Sequence, residues 1–428
     1  MTGEEVRVKQ EKYIFPAIGN YYREPLVLSA GKGKYLYDID GREYLDFFGG
    51  ILTVGLGHVH PRVTAAAAEQ LGRLWHVSTL YQTENMVSYA ELLARLTPGD
   101  LQKSFFTNSG TEANEAAALF AQLHTGCQEI VALRHGYSGR SFLTMGMTGH
   151  GVWRLGGTHV AGIKHALNPY CYRCALGLTY PACDLKCARD VEDLILTTTS
   201  GRIAAFFAEP IQGVGGFITP PPDYFRVVEP IIRKYGGIMI IDEVQTAWGR
   251  TGKLFGSEHY GLTPDVMTMA KGAANGLPIG ITVATPAVAD SVRGLTISTF
   301  GGNPVVMAAA QATLEVVLDE DIPTHCLTVG NYLREKLAAL QEKYPVIGDV
   351  RGMGLMQALE LVGEKKSPAP GAVTELMEET KKRGLLLGKG GLYGNTVRIS
   401  PPMTIDRADV DTAAAILDQA LQAVTEKL

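Results

Sequence analysis

The apolar run Gly237–Ile241 stops abruptly at Asp242 and Glu243 and gives way to polar residues and Gly249. So short and Ile-rich a run reads as a strand covered on both faces, the usual central strand of a parallel sheet. The chain around it alternates. Strand-like runs KSFFT, EIVALR, RIAAFFAEP, GIMIID, DVMTMAKG and PIGITVAT are separated by helical patterns such as PDYFRVVEPIIRKYG. This layering predicts an α/β domain on a mainly parallel sheet and excludes a repeat array or a set of β-sandwiches. In such sheets ligands lie beyond the carboxyl ends of the strands, where Asp242 stands.

A chain of 428 residues suits two or three domains around a substantial core. Residues 1–30 read as an irregular arm carrying Tyr13, Phe15, Tyr21 and Tyr22. Two alternating runs then flank Asp40-Gly41, a hairpin signal. His58 and His60, in GHVHP, read as loop histidines ahead of the Ala-rich helix RVTAAAAEQLGRL. Beyond a long helix near 303–318 the pattern changes to α+β. It runs helix GNYLREKLAALQEKY, strand GMGLMQALELV, helix TELMEETKKRG, strands LLLGKG and NTVRISPP, and a final helix. The expected division has an N-terminal arm and hairpin at 1–75, joining the small domain, and a large α/β domain at 76–318. A C-terminal α+β small domain follows at 319–428.

Composition excludes some partners. The net charge is −5, and no basic block or aromatic ladder points to nucleic acid. The first residues, MTGEEVRVKQEKY, contain no apolar core of a signal peptide, and no apolar stretch approaches the roughly 18 residues of a membrane span. A soluble cytoplasmic protein is expected. Charged residues are only 19%, which hints at surface buried between subunits. Four of the six cysteines cluster at Cys171, Cys174, Cys183 and Cys187. Paired thiolates can close a zinc site, but reduced loop thiols or a disulfide are the alternatives, and no metal is assigned.

The chemistry gathers at strand ends. Asp242 ends one run and Lys271 another, the pairing that would hold a pyridine nitrogen protonated and bind an aldehyde covalently. Either alone also reads as a helix cap or a solvated surface charge. Ser109-Gly110-Thr111 opens a helix after a strand, which suits a phosphate but equally an ordinary capping box. No Walker lysine or G-x-G-x-x-G accompanies it. Tyr137, in HGYSGR, could stack on a planar cofactor, and Val244 shares the face of Asp242 if the strand continues. Thr299, in STFGGNP, offers a second loop of hydroxyl and backbone groups. Arg398 is a solitary base on an apolar strand, suited to a bidentate carboxylate grip, with a structural ion pair as the other reading.

Together these stretches resemble the class III (subgroup II) aminotransferases, enzymes of pyridoxal 5'-phosphate (PLP) fold type I. The resemblance runs from about residue 20 to the C-terminus, through NYY, YLYDIDGREYLDFFGGI, GHVHP, SGTEANE, HGYSG, AEPIQG, IIDEVQTAWGRTG, the lysine of MAKG, STFGGNP and VRISPP. It implies a seven-stranded, mainly parallel sheet in the large domain, beside a smaller α+β domain. It further implies PLP held covalently by Lys271, with Asp242 on the ring nitrogen and Ser109, Gly110 and Thr111 on the phosphate. Tyr137 and Val244 would flank the ring, Gln245 would approach its phenolic oxygen, and Glu209 would shape the hydrogen-bond network. Thr299 would reach the phosphate of the neighbouring subunit, making a homodimer with shared sites the functional unit, with a tetramer as the alternative. Arg398 would take the substrate carboxylate, with Tyr21 and Ile51 beside the substrate.

Departures from the family pattern bear on substrate. Ornithine and 4-aminobutyrate aminotransferases carry a glutamate that gates the substrate arginine, and Val214 stands at that place here. Ile51 replaces a tyrosine that holds ornithine's distal group. The chain looks closest to the alanine–glyoxylate aminotransferase type 2 branch, as a bacterial-type relative without a transit segment. Ping-pong transfer from alanine or a similar amino acid to glyoxylate or pyruvate is therefore expected, with Lys271 moving the proton. The rival within the fold is a β- or ω-amino acid:pyruvate or 4-aminobutyrate-type aminotransferase, or a decarboxylating or aminomutase relative. A PLP-binding regulatory protein is the rival of another class.

Overall fold

The structure, a computed structural model, describes residues 1–156 and 160–427. Seven strands form the large sheet in the spatial order Lys103–Thr107, Gly280–Ala284, Val266–Ala270, Ile238–Asp242, Ala205–Ala208, Ile130–Leu133 and Ile163–Ala166. All pairings are parallel except those of Gly280–Ala284, which runs antiparallel to both neighbours. The buried runs face two ways with period two. Phe207, Ile238 and Ile240 pack with the helix Gly110–Thr125, while Phe206, Met239 and Ile241 pack with the helices Lys186–Thr198 and Tyr224–Lys234. Each large apolar side chain so buried contributes about 1.5–3 kcal/mol, which makes both layers necessary.

A smaller mixed α+β domain completes the molecule. Leu28–Lys32, Tyr35–Asp38 and Glu43–Asp46 form an antiparallel sheet, and Leu385–Leu386 adds to it in parallel, through Leu385↔Leu45 and Leu386↔Asp46. The N-terminal hairpin is thus joined to the C-terminal part of the chain. A second sheet orders Ile347–Met353, Met356–Leu361, Thr396–Ile399 and Gly388–Gly390, all antiparallel. We propose the divisions after residues 75 and 318 as the limits of these units. The second falls one residue before the end of the helix Pro304–Asp319.

Three local expectations change. The first thirty residues are not wholly irregular: Gly3–Tyr13 is a helix, closed by a capping box between Thr2 and Glu5. None of its residues is buried, so it lacks the apolar period that reveals a helix in sequence. LLLGKG is two strands rather than one, serving different sheets on either side of Leu387. The strands Ile163–Ala166 and Ile347–Met353 had no clear signal. The former is a four-residue edge strand carrying Lys164 and His165.

Candidate active site

The fully buried strand Ile238–Asp242 delivers Asp242 to its carboxyl end. Both carboxylate oxygens are engaged. Asn114 Nδ2 donates to Oδ2 at 2.8 Å, and the Val244 N–H donates to Oδ1 at 2.9 Å. Asn114 is itself fixed, donating to Ser138 O at 2.8 Å and accepting from Thr268 Oγ1 at 2.6 Å. Burial pushes the Asp242 carboxyl up, against the pull of those two hydrogen bonds and of Lys271. Glu209 is pushed up by burial and by the charge of Asp242, although the N–H groups of Gly213 and Tyr137 donate to it at 2.7 and 3.0 Å.

Lys271 follows the strand Val266–Ala270, whose Thr268 lies in register with Asp242. It adopts φ +46°, a left-handed conformation that a side chain with a Cβ strains to hold. Burial lowers its ammonium, the charges of Asp242 and Glu209 raise it, and Arg398 lowers it again. The two acids, the amine and the arginine therefore share one field.

Ser109 caps the helix Gly110–Thr125, accepting from Glu112 N at 3.2 Å, while Glu112 reaches back to Asn108 N at 2.9 Å. The capping reading of this turn holds. It leaves Gly110 and Thr111 in the first turn, where N–H groups lack helical partners. A Cβ on Gly110 would stand 3.1 Å from Val244 Cγ1 and 3.5 Å from Ala270 Cβ, so the glycine lets this helix approach both strand ends. Gln245 is buried against Gly213, and its Oε1 has no partner. Tyr137 is half-buried and meets Trp153 edge-on at 5.7 Å.

Arg398 is 3% exposed. Its Nε donates to Lys389 O at 3.1 Å and its Nη2 to Tyr21 Oη at 3.4 Å, while Nη1 has no partner. The guanidinium lies over Phe48 and Phe217, at 4.9 and 5.7 Å from the ring centres. Among the described residues no acid pairs with it. Val214 brings its backbone to this edge, its carbonyl accepting from Gly391 N at 2.9 Å. Ile51 is exposed at φ +68° in the turn after Phe48. Thr299 is exposed and lines a surface groove with Thr111, Ser141 and Phe300 of its own chain. His58 is a structural partner of Asp46, at 2.9 Å. The six cysteines are free, and among the described residues no group of three or more His, Cys, Asp or Glu stands ready to hold a metal ion.

The sequence reading missed Asn114 as the clamp on Asp242. Its signal was present, since Gly110 and Asn114 are four apart and so share a helix face. Phe48 and Phe217, the rings beneath Arg398, had no sequence signal because they meet only through the fold.

The donor set fits PLP. A desolvated acid suits a protonated ring nitrogen, an amine an aldehyde, and a helix N-terminus with its glycine a phosphate. Fold and site define a PLP-dependent transferase of fold type I. Residues 18–421 match the aminotransferase class-III family, and the chain belongs to it. Alanine–glyoxylate aminotransferase 2 homolog 2, mitochondrial, of Arabidopsis thaliana is 43% identical over 98% of this chain and 88% of its own length. The human mitochondrial alanine–glyoxylate aminotransferase 2 is 38% identical over 96% and 85%. An amine transaminase from an uncultivated Pseudomonas species, solved with PLP bound, superposes with a TM-score of 0.91 at 32% identity, covering 96% of this chain and 98% of that one. The protein is a PLP-dependent class III aminotransferase, acting by ping-pong transamination on small amino and keto acids. The expected cytoplasmic location is corrected by these relatives, since both alanine–glyoxylate enzymes are mitochondrial by name. Among the described residues no helix is long and apolar enough to cross a membrane.

Proposed function

We propose that this enzyme moves the amino group of alanine, or a similarly small amino acid, to glyoxylate or pyruvate. The observation that carries this reading is the free Nη1 of a buried Arg398 with no acid paired to it among the described residues. A guanidinium already held by Lys389 O and Tyr21, and stacked on two rings, is positioned for a carboxylate at no further ordering cost. Because Val214 cannot ion-pair with it, a small acid without a distal group gains the whole interaction.

PLP, when bound, supplies the electron sink that makes the amino acid's Cα–H acidic. In this reading Lys271 holds the cofactor and moves the proton from and to Cα, aided by burial that lowers its pKa. Asp242, clamped by Asn114, keeps the ring nitrogen protonated. Ser109, Gly110 and Thr111 would hold the phosphate, Tyr137 and Val244 would flank the ring, and Gln245 and Glu209 would complete the polar wall. The test is a panel of amino donors against glyoxylate and pyruvate. Alanine should be turned over with either acceptor, and 4-aminobutyrate or a simple amine should be slower. A clear preference for ω-amines would overturn the assignment. The alanine–glyoxylate relatives support this reading; the likeness to an amine transaminase makes the amine arm of the panel necessary.

A further inference from the structure

Two threonines interrupt the apolar strands next to Asp242. Thr268, in Val266–Ala270, and Thr282, in Gly280–Ala284, are both buried and stand opposite each other across the antiparallel pair. A buried hydroxyl needs a partner, and both find theirs on adjoining residues of the helix Gly110–Thr125. Thr282 Oγ1 donates to the backbone oxygen of Ala113 at 2.9 Å, which ties strand to helix. Thr268 Oγ1 instead donates to a side chain, Oδ1 of the buried Asn114, at 2.6 Å. That side chain is the one that holds Asp242, at 2.8 Å. The two hydroxyls thus make equivalent bonds to one helix, and Thr268 alone of the pair is linked through its bond to the acid.

An amide carries two N–H donors on one end and an acceptor oxygen on the other. The Nδ2 end of Asn114 meets two acceptors, Ser138 O and Asp242 Oδ2, both at 2.8 Å. Its Oδ1 end meets a hydroxyl that can donate. The reverse orientation would set oxygen against carbonyl and carboxylate, so the Thr268 hydroxyl completes a set of partners that admits one orientation. We propose that Thr268 is a positioning residue for the reaction, its hydroxyl holding the Asn114 amide with an N–H on Asp242 and so keeping that carboxylate ionised for its task at the cofactor nitrogen. The inference rests on the assignment of Asp242 to that nitrogen. A donor to a carboxylate favours its charged form, and a hydroxyl on Oδ1 polarises the amide and strengthens the N–H at its far end. Burial of Asp242 works the other way. Without the hydroxyl, Oδ1 is a buried acceptor with no partner, and the hold on Asp242 slackens. A more basic Asp242 then takes a larger share of the proton that belongs on the ring nitrogen. The other charged groups that act on Asp242, Lys271, Glu209 and Glu243, are left as they were.

The test uses the full-length holoenzyme loaded with PLP that is isotopically labelled at the ring nitrogen, whose NMR shift reports its protonation. Thr268→Val keeps the shape of the side chain and removes the hydroxyl, and Thr268→Ala stands in should the valine not fold. Either should move the shift toward the unprotonated position. With the best amino donor of the panel, kcat should fall about 2- to 12-fold, the net worth of one hydrogen bond, while KM changes little because Arg398 is untouched. Thr268→Ser should restore both. Thr282→Val is the control, since it loses an equivalent bond to the same helix and should keep the wild-type shift. A wild-type shift in the Thr268 variants, where Asp242→Asn does move it, overturns the inference and leaves the assignment of Asp242 standing. A wild-type shift in Asp242→Asn removes that assignment, and the inference with it. Equal displacement by the Thr268 and Thr282 variants would mean general loosening of the helix, and overturns the inference as well.

Discussion

At the scale of single residues, Arg398 separates the proposed substrates. A charge-assisted pair with a carboxylate contributes about 1.5–3 kcal/mol. Arg398→Ala should therefore lower kcat/KM for alanine by about 10- to 150-fold, by the usual conversion. The single-turnover half-reaction of a carboxylate-free amine should change far less, and equal losses would make Arg398 merely structural. Val214→Glu should weaken alanine selectively by pairing with the free Nη1. Lys271 allows a direct chemical check. Borohydride reduction followed by peptide mapping should place the pyridoxyl group on Lys271, and an adduct elsewhere would remove the assignment. Asp242, Lys271 and Arg398 were legible because each is a charge among apolar neighbours. Asn114 was not, because an amide in a helix carries no such contrast.

At the scale of elements, two contacts set the frame of the site. Gly110 lets the helix Gly110–Thr125 close on Val244 and Ala270. Gly110→Val adds volume where a Cβ already meets Val244 at 3.1 Å, so overpacking of about 1–3 kcal/mol is expected. Fluorescence titration should show weaker PLP binding, and unchanged affinity would mean that the helix start plays no part. The second contact is the pair of strands Ile347–Met353 and Met356–Leu361, joined through Arg351 and Glu360. Arg351 Nη1 lies 2.7 Å from Glu360 and 2.7 Å from Asp349, and its Nε donates to Gly216 O at 2.8 Å. Burial would raise the Glu360 carboxyl, but Arg351, Tyr170 and Arg173 together hold it below its ordinary value. A folded-state pKa below the unfolded one stabilises above the unfolded value, and that stability is lost as pH falls through the folded pKa. Glu360→Gln should thus cost about 3–5 kcal/mol near neutrality and flatten the acid limb of the stability curve below about pH 4. Thermal melts from pH 7 down to acid would show it. A limb as steep as the parent's would place the acid sensitivity elsewhere. The alternating strands and amphipathic helices were readable from period alone. The helix Gly3–Tyr13, held by a cap and surface pairs without a buried face, was not.

At the scale of the whole molecule, the question is which chain Thr299 serves. Thr299 is exposed, and beside it Leu295, Ile297 and Phe300 are 106%, 58% and 59% exposed. Phe300 meets His76 at 5.0 Å, and Trp75 and Phe300 both line an apolar groove with Leu71 and Leu277. So much apolar surface around one polar loop is what a symmetric dimer would cover, and we propose that it does. The same loop also borders Thr111 of its own chain, so service to the chain's own site is a real alternative. Mixed subunits distinguish them. In a heterodimer of Lys271→Ala and Thr299→Ala chains, sharing across the interface puts both lesions in one site and leaves the other whole. If Thr299 served its own chain, each site would carry one lesion and neither would work. Statistical mixing makes half the dimers mixed, so activity should return to about a quarter of wild type. This holds provided each homodimer is inactive alone and subunit exchange is confirmed by native mass spectrometry. No recovery after verified exchange would show that the sites are not shared and that Thr299 belongs to its own chain.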